Sequence, residues 1–167
     1  MRSDEAAWEA VAGVQRFAVA VAGVLLDSGN RVLLIRERHG ALQYGLPGGL
    51  VPDYESPEET LVREIALQTD VTAVVDHVVG VRYRSSDPQS YMVIVYRCRF
   101  ISGAARVTGH EDIGEVGWFS TRELPSPMSA TVAPAIDAAA LGGKGLVLEE
   151  PPAEQAKRRR FQVRRGG

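Results

Sequence analysis

Apolar residues fall along this chain in short runs separated by turn-forming residues, and the spacing within each run changes from one stretch to the next. Phe17 to Leu26 and Arg31 to Ile35 are rich in Val, Leu and Ile, with Asp27-Ser28-Gly29-Asn30 between them, which predicts a β-hairpin. The polar stretch Arg36 to Gly45 predicts a loop. Leu46-Pro47-Gly48-Gly49 predicts a specialised turn, because Pro lacks a donor and paired glycines reach backbone angles that other residues resist.

Ser56-Pro57-Glu58-Glu59 opens a helix: Ser as cap, Pro at the first helical position, acids in the first turn and Glu59 at the capping-box spacing. The helix is predicted to run to about Gln68, with Leu61 and Ile65, and Val62 and Ala66, each four apart on a core-facing stripe. Val71 to Arg84 and Tyr91 to Ile101 are β-rich runs around the turn cluster Ser85 to Ser90, a second and longer hairpin. Glu115 to Ser120 adds a strand, and Ala130 to Leu141 reads as an Ala-rich helix stopped by Gly142-Gly143. Ser3 followed by Asp4 and Glu5 predicts a short capped helix. Helices mixed with mainly antiparallel strands give an α+β layered domain, here divided into an N-terminal extension (1–15), a domain (16–141) and a Pro- and Arg-rich mobile tail (142–167).

A chain of 167 residues, 45% hydrophobic and 24% charged, has the balance of one globular domain. The longest apolar run is too short for a membrane span and the N-terminus is acidic, so neither a membrane partner nor a secretory signal is expected, and the location expected is cytoplasmic. Cys98, the single cysteine, cannot form an internal disulfide and reads as a small packing residue on a strand. The net charge of -2 hides an asymmetry: up to Gly143, 12 basic side chains face 18 acidic ones, whereas the remainder holds 7 against 3. The run Lys157 to Arg160, with Arg164 and Arg165, has the charge to touch nucleic acid, but no aromatic platform accompanies it beyond Phe161, so a solvated tail is the reading adopted.

The chemistry concentrates between Gly49 and Ile65. Gly49, Glu55, Arg63, Glu64 and Ile65 stand at the spacing of the first five fixed positions of G-x5-E-x7-R-E-U-x-E-E-x-G-U, where U is aliphatic. In this the chain resembles the Nudix family (MutT-like proteins), and the lead-in Leu46-Pro47-Gly48-Gly49 and the ending Trp118-Phe119-Ser120 with Glu123-Leu124 agree with it. The resemblance covers roughly residues 16 to 141. It implies an α/β/α sandwich around a mixed, largely antiparallel sheet, and hydrolysis of a nucleoside diphosphate linked to another group.

The resemblance also implies roles. A diphosphate carries several negative charges, and the family neutralises them with Mg²⁺ or Mn²⁺ held by a turn carbonyl and by helix carboxylates that share one face. Glu55 and Arg63 then brace the loop, Glu64 is a metal ligand or helps to activate water, and the turn carbonyl belongs to Gly48. After Ala66, however, the signature asks for Glu-Glu-x-Gly and the chain supplies Leu67-Gln68-Thr69-Asp70. Leu67 has no donor atom, and Gln68 offers a neutral amide oxygen in place of a charge.

Glu111, Asp112 or Glu115, after Gly109, is the candidate to complete a metal site, the plain alternative being solvated acids. Arg36, Arg38 and His39 precede the glycine turn; Arg36 and Arg38 are candidates for substrate phosphates and otherwise belong to a solvated loop. His39, His77 and His110 have no metal-binding spacing. Leu67 is expected to pack against an apolar surface, and exposed strand edges or Leu67 itself leave room for a homodimer. The alternative to a weak or metal-altered hydrolase is an inactive module that binds a nucleotide, a metabolite or a protein.

Overall fold

The computed structural model describes residues 18–84 and 90–147. The predicted N-terminal helix and the basic run lie outside the described residues. Eight strands and two helices follow in order: β1 (Ala18–Leu25), β2 (Arg31–Glu37), β3 (Tyr44–Gly45), β4 (Gly48–Leu50), α1 (Pro57–Thr69), β5 (Val71–Arg84), β6 (Tyr91–Gly103), β7 (Ile113–Ser120), α2 (Val132–Ala140) and β8 (Leu146–Val147).

The strands make two sheets, one in the order β4-β1-β6-β5-β8 and one in the order β3-β2-β7. β5 and β6 form the long antiparallel hairpin expected from the sequence. The first hairpin does not form. β1 pairs in parallel with β6 and antiparallel with β4, whereas β2 pairs with β3 and β7 in the other sheet. The Asp27–Asn30 turn is present, tied by the Asp27 carboxylate to the N–H groups of Gly29 and Arg31, but only the bridge Leu26–Val32 joins the two strands beyond it. The cause is two-sided burial: Val24 and Leu25, and Val32 to Leu34, bury consecutive residues, so neither strand has the half-polar face of an isolated hairpin.

Two further expectations change. The stretch Arg36 to Gly45 is partly regular, because β2 continues to Glu37 and Tyr44–Gly45 pairs back on it. Gly48–Leu50 is a short strand paired with Ala20 to Ala22 instead of a free turn. A Cβ at Gly48 would collide with the carbonyl oxygen of Val21, so β4 lies this close to β1 only because residue 48 has no side chain.

α1 begins as the sequence predicts, with Ser56 and Glu59 completing a reciprocal capping box and Pro57 in the first turn. Leu61 and Ile65 are fully buried, each worth about 1.5–3 kcal/mol on burial, but Ala66 is exposed and Val62 only half-buried. The stripe turns instead through Thr60, Gln68 and Thr69. α2 is one turn shorter than expected and buries Val132, Ala135, Ile136 and Ala139.

Two cores result, one under each helix. Val21, Leu25 and Leu33 pack with Leu61 and Ile65 of α1, while Val24, Val32 and Leu34 pack with Val132, Ala135 and Ile136 of α2. Alternate residues of β1 and β2 thus feed opposite layers, which is the helix–sheet–helix arrangement of an α+β sandwich. Cys98 is buried in the α1 layer. No helix among the described residues is long and apolar enough to cross a membrane.

Candidate active site

The N-terminal half of α1 fixes a three-residue clamp. Arg63 Nε and Nη2 donate to Glu55 Oε1 and Oε2 at 2.8 and 2.9 Å, and its Nη1 donates to Glu64 Oε1 at 2.6 Å. Thr60 Oγ1 donates to Glu55 Oε2 at 2.8 Å. Arg63 and Thr60 hold the Glu55 carboxyl below the usual glutamate value, and the paired carboxylates push the guanidinium of Arg63 up. A bidentate fork of this kind sets direction as well as distance. The loop residue Glu55 and the helix residue Glu64 are therefore oriented by one guanidinium. Thr60 was not visible as a site residue in the sequence; its signal is a buried hydroxyl residue one turn after the helix cap.

The second half of the site joins α1 to β4. Gln68 is 6% exposed, and its side-chain amide engages both backbone groups of Gly48: Oε1 accepts from Gly48 N–H at 3.1 Å, and Nε2 donates to Gly48 O at 2.8 Å. The second Nε2 proton goes to Glu64 Oε2 at 3.0 Å. A carboxamide acting as donor and acceptor toward one residue imitates a strand neighbour, and here it ties helix to strand where no backbone could reach. Gly49 brings its backbone against the Glu64 side chain, with room for a Cβ only at 3.2 Å from the Glu64 Cδ and Cγ atoms.

A divalent cation is what the sequence resemblance implies for this corner, and the donors present do not fit one. The carbonyl of Gly48 and the second carboxylate oxygen of Glu64 do converge, but the point on which they converge holds the N–H donors of Gln68. Reversing the amide would set Nε2 against the Gly48 N–H, two donors facing each other. Leu67, at the other replaced position, is 51% exposed and not packed away, and its carbonyl accepts from Thr108 Oγ1. Among the described residues no three His, Cys, Asp or Glu side chains gather in a group that could hold a metal ion.

The late-loop acids go elsewhere. Glu115 lies on β7 directly opposite Arg36 on β2 and pairs with it, Nε–Oε2 3.2 Å, while Tyr44 Oη donates to the same carboxylate oxygen at 2.8 Å. Arg36 also lies over the Tyr44 ring, 5.6 Å from its centroid, and burial together with Glu115 raises the Tyr44 hydroxyl pKa. Arg38 is a loop residue as expected, but it is anchored: its N–H donates to Asp112 O at 2.7 Å and its Nη2 to Ile113 O at 3.1 Å. Glu111 and His39 are exposed.

Beside the Gly48–Gln68 corner opens a cleft of about 490 Å³, lined among others by Glu37, Tyr44, Leu46, His110, Asp112 and Ser129. Its volume is that of a small-molecule site. The cleft joins the glycine turn of one sheet to the β2–β7 end of the other. Tyr44 was missed in the sequence because nothing in a polar loop marks one aromatic residue as part of a wall.

Comparison with known proteins agrees with this geometry. The family model for the NUDIX domain matches residues 16–139. A MutT-like protein of Streptomyces ambofaciens is 30% identical over 115 residues, which cover 69% of this chain and 71% of that protein. An ADP-ribose pyrophosphatase of Methanocaldococcus jannaschii is 32% identical over 112 residues, covering 65% of this chain and 64% of its own length. The crystal structure of a MutT NUDIX hydrolase from Burkholderia pseudomallei superposes with a TM-score of 0.67 at 25% identity, covering 74% of this chain and 98% of that one. The family model spans the β4 glycines, the Glu55–Arg63–Glu64 clamp and both layers of the core, and the chain belongs to the Nudix family.

Proposed function

We propose that this chain is a pyrophosphohydrolase acting on a nucleoside diphosphate joined to a second group. Water adds to one phosphorus, the bridging P–O bond breaks, and two phosphate monoesters leave. The observation that carries this reading is the clamp: Arg63 holds Glu55 and Glu64 at once, at 2.6 to 2.9 Å, in the order and spacing of the family signature. The kinship with a protein named ADP-ribose pyrophosphatase supports the substrate class.

In this reading Glu64 accepts the proton of the attacking water, Arg63 and Glu55 keep its carboxylate aimed, and the cleft beside Gly48 receives the diphosphate. Replacement of the family's glutamate pair by Leu67 and Gln68 makes turnover weak or changes its metal demand, since each tenfold in rate is about 1.4 kcal/mol of barrier. The Gln68 amide also favours a second reading, an inactive module that binds a nucleotide or metabolite in the same cleft.

A panel of nucleoside diphosphate derivatives, assayed with Mg²⁺ and with Mn²⁺, separates the two. Turnover that falls in a Glu64→Gln variant is the expected result. Binding by calorimetry with no turnover above the Glu64→Gln control would overturn the hydrolase reading in favour of the module.

A further inference from the structure

We propose that the Gln68 carboxamide takes the place of a cation at the Gly48–Glu64 corner, so that the resting chain closes this corner with hydrogen bonds and takes up no divalent ion there. The amide nitrogen is 2.8 Å from Gly48 O and 3.0 Å from Glu64 Oε2. Two oxygens, one formally charged, converge on one electropositive centre, as they would around a metal. Here the centre is an NH₂ group covalently fixed to the helix that carries Glu64. Gln68 is buried and both its polar atoms are satisfied, so displacing it leaves a buried amide and the Gly48 N–H without partners, which opposes entry of an ion.

The substitution also explains why the corner is stable with a single acid. Glu64 and residue 68 are four apart on one helical face, where two carboxylates repel unless a cation lies between them. A neutral donor at 68 removes the repulsion and supplies the attraction in one step. Leu67 at the neighbouring position is then free of any coordinating duty, in keeping with its half-exposed side chain and its tie to Thr108 through the backbone alone. Magnesium is commonly held by one or two carboxylates together with substrate phosphates, so a corner closed at rest is compatible with the hydrolase reading and does not depend on it.

The test is a Mn²⁺ titration of the full chain without nucleotide, read by the backbone amide signals of Gly48 and Glu64 in NMR, which a bound paramagnetic ion broadens, and by thermal unfolding. The wild-type chain is expected to show neither broadening of these two signals at equimolar Mn²⁺ nor a rise in Tm. Gln68→Glu is expected to bind Mn²⁺ at least about tenfold more tightly, since affinity follows ligand charge, to broaden both signals and to gain Tm with the ion. Adding Glu64→Gln to that variant removes the gain. Broadening of Gly48 and Glu64 in the wild type overturns the proposal, and so does a gain below about tenfold in a folded Gln68→Glu chain. If that variant fails to fold, the wild-type titration decides alone. Turnover is not read in any arm, so failure here leaves the assay of Glu64→Gln untouched.

Discussion

Arg63 meets both carboxylate oxygens of Glu55, at 2.8 and 2.9 Å, across an eight-residue separation that spans the end of a loop and the first turns of α1. The helix start is set by Ser56 and Glu59, so the clamp converts a local capping signal into a fixed position for the loop that follows β4. Because the Arg63 side chain is 39% exposed, water and salt screen much of its attraction, and the pair is better regarded as an orienting device than as a large source of stability.

Acid should reveal that pair. Glu55 gives up its proton more readily in the folded chain than in the unfolded one, so its contribution to stability is fully present above the ordinary glutamate value of about 4.3. It is lost as pH falls through the lower folded value. Urea midpoints measured from neutral pH down into the acid range are expected to fall less steeply for Glu55→Gln than for the parent chain. Parallel curves would show that the pair has no part in the acid response.

Gly48→Ala should be among the costliest single changes in the fold. The new methyl group would meet the Val21 carbonyl oxygen, which is backbone and cannot rotate aside, so a loss of about 3 kcal/mol is expected, at the upper end for overpacking. Chemical denaturation gives the figure directly. A loss under about 1 kcal/mol would mean that β4 can withdraw from β1 without consequence.

Cys98 should be inert while the chain is folded. It is 1% exposed in the α1 layer, and burial pushes its thiol up to about 12, against the opposing influence of Arg97. The thiolate is the reactive form, so Ellman's reagent at mildly alkaline pH is expected to leave the native protein unmodified and to titrate one thiol in concentrated guanidinium. Rapid reaction in the native state would contradict the packing role.

Much of this was legible in the sequence where the signal is local. Ser56, Pro57 and Glu59 mark the helix start through hydrogen bonds within four residues, and the β5–β6 hairpin follows from two apolar runs around one turn cluster. The β1–β2 hairpin suggested by the sequence does not form because a turn and two apolar runs do not say which sheet each strand joins; that depends on burial of both faces, decided by α1 and α2 far along the chain. In the site, Glu55, Arg63 and Glu64 were recognisable from spacing. The role of Gln68 was not, because its partner is the backbone of Gly48, twenty residues earlier, and a backbone group leaves no mark in a sequence. Arg36 and Glu115 each stand out as a charged candidate, but their pairing depends on the β2–β7 register.

β1 has hydrogen-bonded neighbours along both edges and apolar contacts on both faces, since Val21 and Leu25 serve one helix and Val24 the other. It therefore has no free side from which either layer could detach. Stripping away α1 would wet the strand on which α2 also rests, so loss of one layer weakens the other. The glycines of β4 are sewn to this same strand, so that wall of the pocket is held by the sheet's own backbone pairing.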